Sequence, residues 1–201
     1  MMNIYDLSRK YEFTVISYKG AEKKEYNMIV RIHSIPAKEK GLYAYQFLCE
    51  EYIYKDDEDS LFLEELSSVF NNLIAFGDEK GELVNFYSHK RIQQKWNEVK
   101  TSILRESEGD EILNFTQGID VIINDRKAIT SFLGSDKMYG LFFNKQWERL
   151  KVFCDENKKD EKEIILENLP EYKFVCTEGF IREVTKRTSN HLYKMLCRGK
   201  I

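Results

Sequence analysis

The order of apolar patterns in this 201-residue chain predicts an α+β fold. Its sheet is antiparallel, built from N-terminal and C-terminal strand meanders, with a central group of three to four helices packed on one face. Three observations carry this. Residues 11–54 hold three extended runs joined by short turns. Residues 60–134 switch to helical spacing. Residues 164–198 return to short extended runs. Strands in consecutive runs fit a parallel βαβ arrangement badly, because parallel pairing needs a crossover between each pair. The whole chain, residues 1–201, reads as one globular domain.

In the first meander, YEFTVISY (residues 11–18) is a strand and residues 19–25 a turn containing Gly20. YNMIVRIHSI (residues 26–35) alternates, with Tyr26, Met28, Val30 and Ile32 on one face and Asn27, Arg31 and His33 on the other. After a polar turn at residues 36–41 comes LYAYQFLCEEYIY, residues 42–54. Strict alternation puts Tyr43, Tyr45, Phe47, Cys49, Glu51 and Ile53 on one face. It puts Leu42, Ala44, Gln46, Leu48, Glu50, Tyr52 and Tyr54 on the other. Both faces are apolar or aromatic, so a cover over part of the second face is expected, from the chain's own helices or from a partner.

The helical region opens with acidic residues 56–59, suited to a helix start. Phe62, Leu66, Val69, Phe70 and Leu73 follow at helical spacing, and Gly77 ends the run. Residues 82–87 are a short extended segment. Ser88 stands at the cap of a second helix with the stripe Ile92, Trp96, Val99 and Ile103, the pattern of a surface helix lying on a core. A third helix from residues 109–110 carries Ile112, Phe115, Ile119 and Ile122. Asp125 caps a fourth, with Ile129, Phe132 and Leu133, closed by Gly134. Residues 138–143 fit strand or loop, and residues 147–153 fit helix or strand. The charge run DENKKDEKE (residues 155–163) reads as an exposed hairpin loop. The last strands are residues 164–166, 172–177, 180–188 and 191–198, the final pair joined by a turn at Ser189–Asn190.

Composition bounds the function classes. Hydrophobic residues make up 42% and charged residues 32%, a globular mix. The net charge of −3 disfavours a nucleic-acid binder, which needs a concentrated positive field. The one basic grouping, Lys186, Arg187, Lys194, Arg198 and Lys200, reads as a solvated strand face. No apolar h-region follows the first charges and no run approaches the ~20 apolar residues that span a bilayer, so a cytoplasmic protein without membrane contact is expected. The four cysteines form no C-x-x-C pair and read as free thiols.

No motif assigns chemistry. Phosphate-binding loops and nucleophile elbows are absent. Cys154, Cys176, His191 and Cys197 match no zinc spacing, so no metal, cofactor or catalytic residue is expected. Tyr43, Tyr45, Tyr52 and Tyr54 are the candidate partner-binding residues, because tyrosine joins a large apolar ring to a polar tip and is enriched at interfaces. The expected function is therefore non-catalytic binding of another protein. A bacterial toxin-immunity protein, or an accessory component of a secretion or phage-like assembly, has this acidic, motif-poor character by class-level analogy. Two alternatives stand beside it: a hydrolase-like enzyme using Glu51, His33 and Arg31, and a structural homo-oligomer whose sheets pair.

Overall fold

The structure, a computed structural model, describes residues 8–19, 22–35, 37, 39–53, 58–135, 138–157 and 161–200. Nine strands form one antiparallel sheet in the order β5-β4-β3-β2-β1-β9-β8-β7-β6. The N-terminal meander is β1 (Arg9–Lys19), β2 (Glu22–Ile35) and β3 (Tyr43–Ile53), extended at the edge by β4 (Leu73–Gly77) and β5 (Leu83–Phe86). The C-terminal meander is β6 (Lys162–Leu166), β7 (Leu169–Thr177), β8 (Phe180–Arg187) and β9 (His191–Lys200). The two join where β1 pairs with β9. Among the described residues, six helices occupy the middle of the sequence: α1 (Glu58–Ser68), α2 (His89–Glu106), α3 (Asp110–Asn124), α4 (Arg126–Ser135), α5 (Tyr139–Phe142) and α6 (Trp147–Glu156). The α+β class, the antiparallel sheet and its origin in the two chain ends are as the sequence predicts.

Several local expectations are corrected. Leu73 belongs to a strand and not to the first helix. Asn72 turns the chain with a φ of 60°, and LIAFG then pairs along the free edge of β3. A short apolar run fits helix and strand equally by period, and here the open edge decides. The first hairpin is longer than expected, since β2 begins at Glu22 and pairs with Lys19. Residues 138–143 contain a buried helical turn, α5, and residues 147–153 lie in a helix, α6. The charge run is divided: residues 155–156 finish α6 and residues 162–163 open β6. Pro170 lies within β7, near its start. Of the acidic residues 56–59 expected at the first helix start, 58–59 open α1 and 56–57 fall outside the described residues.

One buried cluster lies between the sheet and the helices. The sheet contributes Tyr11, Phe13, Val30, Ile32, Tyr45 and Phe47, all buried, and Phe174, Val184 and Met195 from the C-terminal strands. The α2 stripe Ile92, Trp96, Val99 and Ile103 is buried as its spacing predicts. Ser88 precedes α2 without a side-chain cap bond. Asp125 does cap α4, its Oδ1 accepting from the backbone N–H of Lys127 at 2.7 Å and of Ala128 at 3.3 Å.

A polar clamp holds α2 against α3. Asp120 accepts from Trp96 Nε1 at 2.7 Å and pairs with Lys100. Burial opposes ionisation of Asp120. The hydrogen bonds from Lys100 and Trp96, with the Lys100 charge, outweigh it and hold the carboxyl below the ordinary carboxylate value. A depressed folded-state pKa gives stability that is present above the unfolded value, near 3.9, and is lost as pH falls through the folded value. Asp120→Asn should therefore lower stability at neutral pH, and its deficit against wild type should close below about pH 4. Urea denaturation of both proteins across that range checks this, and a deficit that does not change with pH rules out the charge as its source.

Candidate functional site

The register of β2 with β3 decides where the tyrosines go. Ile29 pairs with Glu51, and Val30 pairs with Cys49, which leaves Glu50 as an extra residue in β3. This β-bulge shifts the alternation by one position. Beyond it, Tyr52 pairs with Met28 on the helix side of the sheet, while Glu51 and Ile53 turn to the opposite side. Tyr43 packs edge-on against Trp147 at 5.9 Å between ring centres. Tyr45 is 0% exposed and meets Phe142 and Trp147 edge-on, so it supplies core and no surface. Tyr52 is half-buried and donates to Asn71 Oδ1 at 2.9 Å. All three lie on the helix side, and Tyr54 lies outside the described residues. Among the described residues, no tyrosine of β3 faces away from the helices.

The sheet face away from the helices carries a different pattern. One row crosses seven strands as Glu51, Ile29, Glu12, Leu196, Glu183, Val175, Glu163. Cations in the flanking rows pair with it: Arg198 with Glu12, Lys194 with Glu183 at 2.9 Å, and Lys173 with Glu163 at 2.6 Å. Glu50, thrown out by the bulge, takes both Arg31 and Lys10. Each exposed pair contributes only about 0–1 kcal/mol to stability. Covering this face with a partner would strip water from every pair, a cost that ion pairing repays only with excellent geometry. It is a self-neutralised, water-facing surface. Lys194 and Arg198 of the C-terminal basic grouping belong to it and are already paired, whereas Lys186 lies over the Tyr172 ring on the helix side.

The hydrolase-like trio does not assemble. Arg31 is held by Glu50, His33 Nδ1 lies 2.5 Å from Ser8 Oγ, and Glu51 is exposed. His89 Nε2 donates to the Ile123 carbonyl at 2.7 Å, and His191 stacks on Tyr193. The zinc-spaced set is also dispersed. Cys154 and Cys176 meet in the core, where the hydrogen bond to Cys176 and then burial push the Cys154 thiol up. Cys197 lies 3.9 Å from Nη1 of the buried Arg9, whose guanidinium rests on the Phe180 ring. All four cysteines are free. Among the described residues, no group of three or more His, Cys, Asp or Glu is placed to hold a metal ion, and no helix is long and apolar enough to cross a membrane.

What the structure does assemble is an open cavity of about 220 Å³ between the sheet and the helices. Phe13, Met28 and Tyr52 form its sheet wall; Phe70, Leu133 and Tyr139 form its helix wall. The walls are fixed by hydrogen bonds. Tyr139 Oη donates to the Phe70 carbonyl at 3.1 Å, tying α5 to the turn after α1. Tyr52 and Gln46 hold that turn through Asn71 and Asn72, the latter pair at 2.8 Å. Burial, with the nearby Cys49 and Glu64, pushes the Tyr52 phenol up, so it stays neutral. Burial likewise raises the Cys49 thiol. Ser67 is exposed at the rim, and Phe70 continues outward to Phe132, 5.8 Å away and 37% exposed.

A wider groove of about 850 Å³ between β5 and α4 is less apolar, and three of its charged groups already have partners. Arg126 donates to Asn85 and to the Phe86 carbonyl, and Lys145 pairs with Glu82. The apolar cavity is thus the better candidate site. Of its walls, sequence reasoning singled out only Tyr52 for function, and strict alternation separated it from Tyr43 and Tyr45. No protein-family model matches the sequence, and no curated protein matches it either.

Proposed function

We propose that this is a non-catalytic protein-binding protein that receives an anchoring side chain of its partner in the cavity between β1–β3 and α1, α4 and α5. The observation that carries this reading is the cavity itself: aromatic-walled, tied by hydrogen bonds, open to solvent and continuous with an exposed phenylalanine. Interfaces concentrate their energy in such pockets, where one partner side chain is desolvated against preformed walls. At about 220 Å³ it is smaller than the roughly 300–1,000 Å³ of sites for drug-sized ligands, which favours a single side chain over a whole small molecule. Toxin neutralisation by an immunity protein, or an accessory role in a bacterial secretion or phage-like assembly, are roles that binding alone performs.

Affinity capture from cells of the native host tests the reading. Ser67→Trp places a large ring at the cavity rim, and Leu196→Lys changes the open sheet face. A partner retained by wild type and by Leu196→Lys, and reduced at least tenfold by Ser67→Trp, is the expected outcome. Retention by Ser67→Trp with loss by Leu196→Lys would move the site to the sheet face. Equal retention by all three would end the proposal.

A further inference from the structure

We infer that the side chain this cavity receives is basic, an arginine presented among apolar residues of the partner; this rests on the cavity being the binding site. Glu64 sits on the cavity wall, on the face of α1 that looks toward Tyr52. It is half-buried. Among the described residues it takes part in no ion pair and no hydrogen bond. Of the other partly buried carboxylates, Glu12, Asp120 and Glu183 each hold a cation, Asp78 accepts from the backbone N–H groups of Lys80 and Glu82, and Glu65 is not part of the cavity lining. A carboxylate drawn partly out of water without a partner is costly, and a cation brought to it recovers that cost. Lys194 also borders the cavity, but its side chain belongs to the outer sheet face, where its ammonium is 2.9 Å from Glu183.

The rest of the wall suits an arginine. Its three-carbon stem matches an apolar channel lined by Met28 and Leu133, as long basic side chains bury their stems while keeping the charged head at a polar site. Its planar guanidinium stacks on aromatic faces, which Tyr52 and Phe70 offer. It donates five hydrogen bonds and accepts none, complementing a carboxylate with no donor of its own. Neither neighbouring ionisable group competes for it, because Cys49 and Tyr52 are both pushed toward their neutral forms. The net charge of −3 adds a weak general attraction for a basic partner.

Selection of a random seven-residue peptide library on the immobilised full chain tests this, repeated on Glu64→Gln and Ser67→Trp. Thermal melting first establishes that both variants fold as wild type does. Wild type should enrich peptides carrying arginine next to apolar residues. Glu64→Gln should bind a selected arginine peptide about tenfold more weakly, since a hydrogen bond to a charged group is worth roughly one to two orders of magnitude in affinity. Replacing that peptide's arginine with norleucine should remove the difference between wild type and Glu64→Gln. Apolar peptides without basic enrichment, lost on Ser67→Trp, would overturn the arginine inference and leave the cavity as the site. The same peptides on wild type and Ser67→Trp, or no selected peptide at all, would overturn both.

Discussion

Phe142→Ala should destabilise the protein by about 3–5 kcal/mol, the range for removing a buried phenylalanine from a close-packed core. Phe142 is 0% exposed and occupies the point where the sheet meets the helices. Its ring meets Tyr11, Tyr45, Phe47, Phe143 and Trp147 with centroid distances from 4.8 to 6.5 Å, all of them edge-on. Edge-to-face geometry adds to simple area burial, and five such contacts cannot all be remade by relaxation around an alanine. The backbone is fixed as well, because Trp147 Nε1 donates to the Phe142 carbonyl at 3.0 Å. The neighbours therefore have little freedom to close the void. Urea unfolding at neutral pH measures the loss. Val121→Ala, at a position 72% exposed on α3, serves as the comparison and should change stability by less than about 0.5 kcal/mol. A loss under about 1 kcal/mol for Phe142→Ala would mean that the aromatic cluster does not organise this core.

Gly81→Ala should be strongly destabilising, because dihedral strain and overpacking act at the same position. Gly81 has a φ of +83°, a region that costs a residue with a Cβ about 1–2 kcal/mol. A Cβ built there would lie 2.4 Å from Trp147 Cδ1 and Cγ. The indole cannot swing aside freely, because Nε1 is bonded to Phe142 and the ring stacks on Phe143. The backbone cannot retreat either. Gly81 donates to the Asp78 carbonyl at 3.0 Å, and its own carbonyl accepts from Lys145 at 3.1 Å. Overpacking of this kind adds about 1–3 kcal/mol to the dihedral strain. Gly41→Ala separates the two effects. Its φ is +84°, yet its added Cβ would meet only the Glu79 side chain, at 3.6 Å. Chemical denaturation should find Gly41→Ala costing the dihedral strain alone and Gly81→Ala clearly more. Equal losses would show that Trp147 yields, and that the turn is not locked to α6.

The two substitutions probe the same feature, the aromatic layer that Tyr45, Phe142 and Trp147 form under the sheet. That layer bears on the candidate site, because α5 supplies both Phe142 to the core and Tyr139 to the cavity wall. A cavity whose walls are held by the core is preformed, and preformed walls reduce the ordering cost of binding. The opposite sheet face has no comparable role. Its alternation of glutamates with Ile29, Leu196 and Val175, bracketed by lysine and arginine, satisfies itself in water.

Wherever the chain's own period is unambiguous, the sequence determines the outcome. The stripe Ile92, Trp96, Val99 and Ile103 repeats every three to four residues over a full helix, and all four side chains are buried. The Asp125 carboxylate caps its helix because that bond is local. The Ser189–Asn190 turn joins β8 directly to β9, and the two pair antiparallel. Consecutive strands at both chain ends predict an antiparallel sheet, since neighbouring strands joined by short turns can pair no other way. Tertiary structure alone decided the rest. Nothing local to residues 42–54 marks Glu50 as the extra residue. The bulge is defined against β2, and it moves Tyr52 from the outer face to the cavity. Leu73–Gly77 became a strand because β3 had an open edge, and α5 became a helix inside a core that the remote residues Tyr11, Tyr45 and Phe47 complete. The cavity gathers Phe13, Tyr52, Phe70 and Leu133 from positions up to 120 residues apart. A local pattern encodes which period a segment follows and which of its faces is apolar. Which distant segment meets that face, and with what register, is set by hydrogen bonding and packing between residues remote in sequence, and the candidate site exists only at that level.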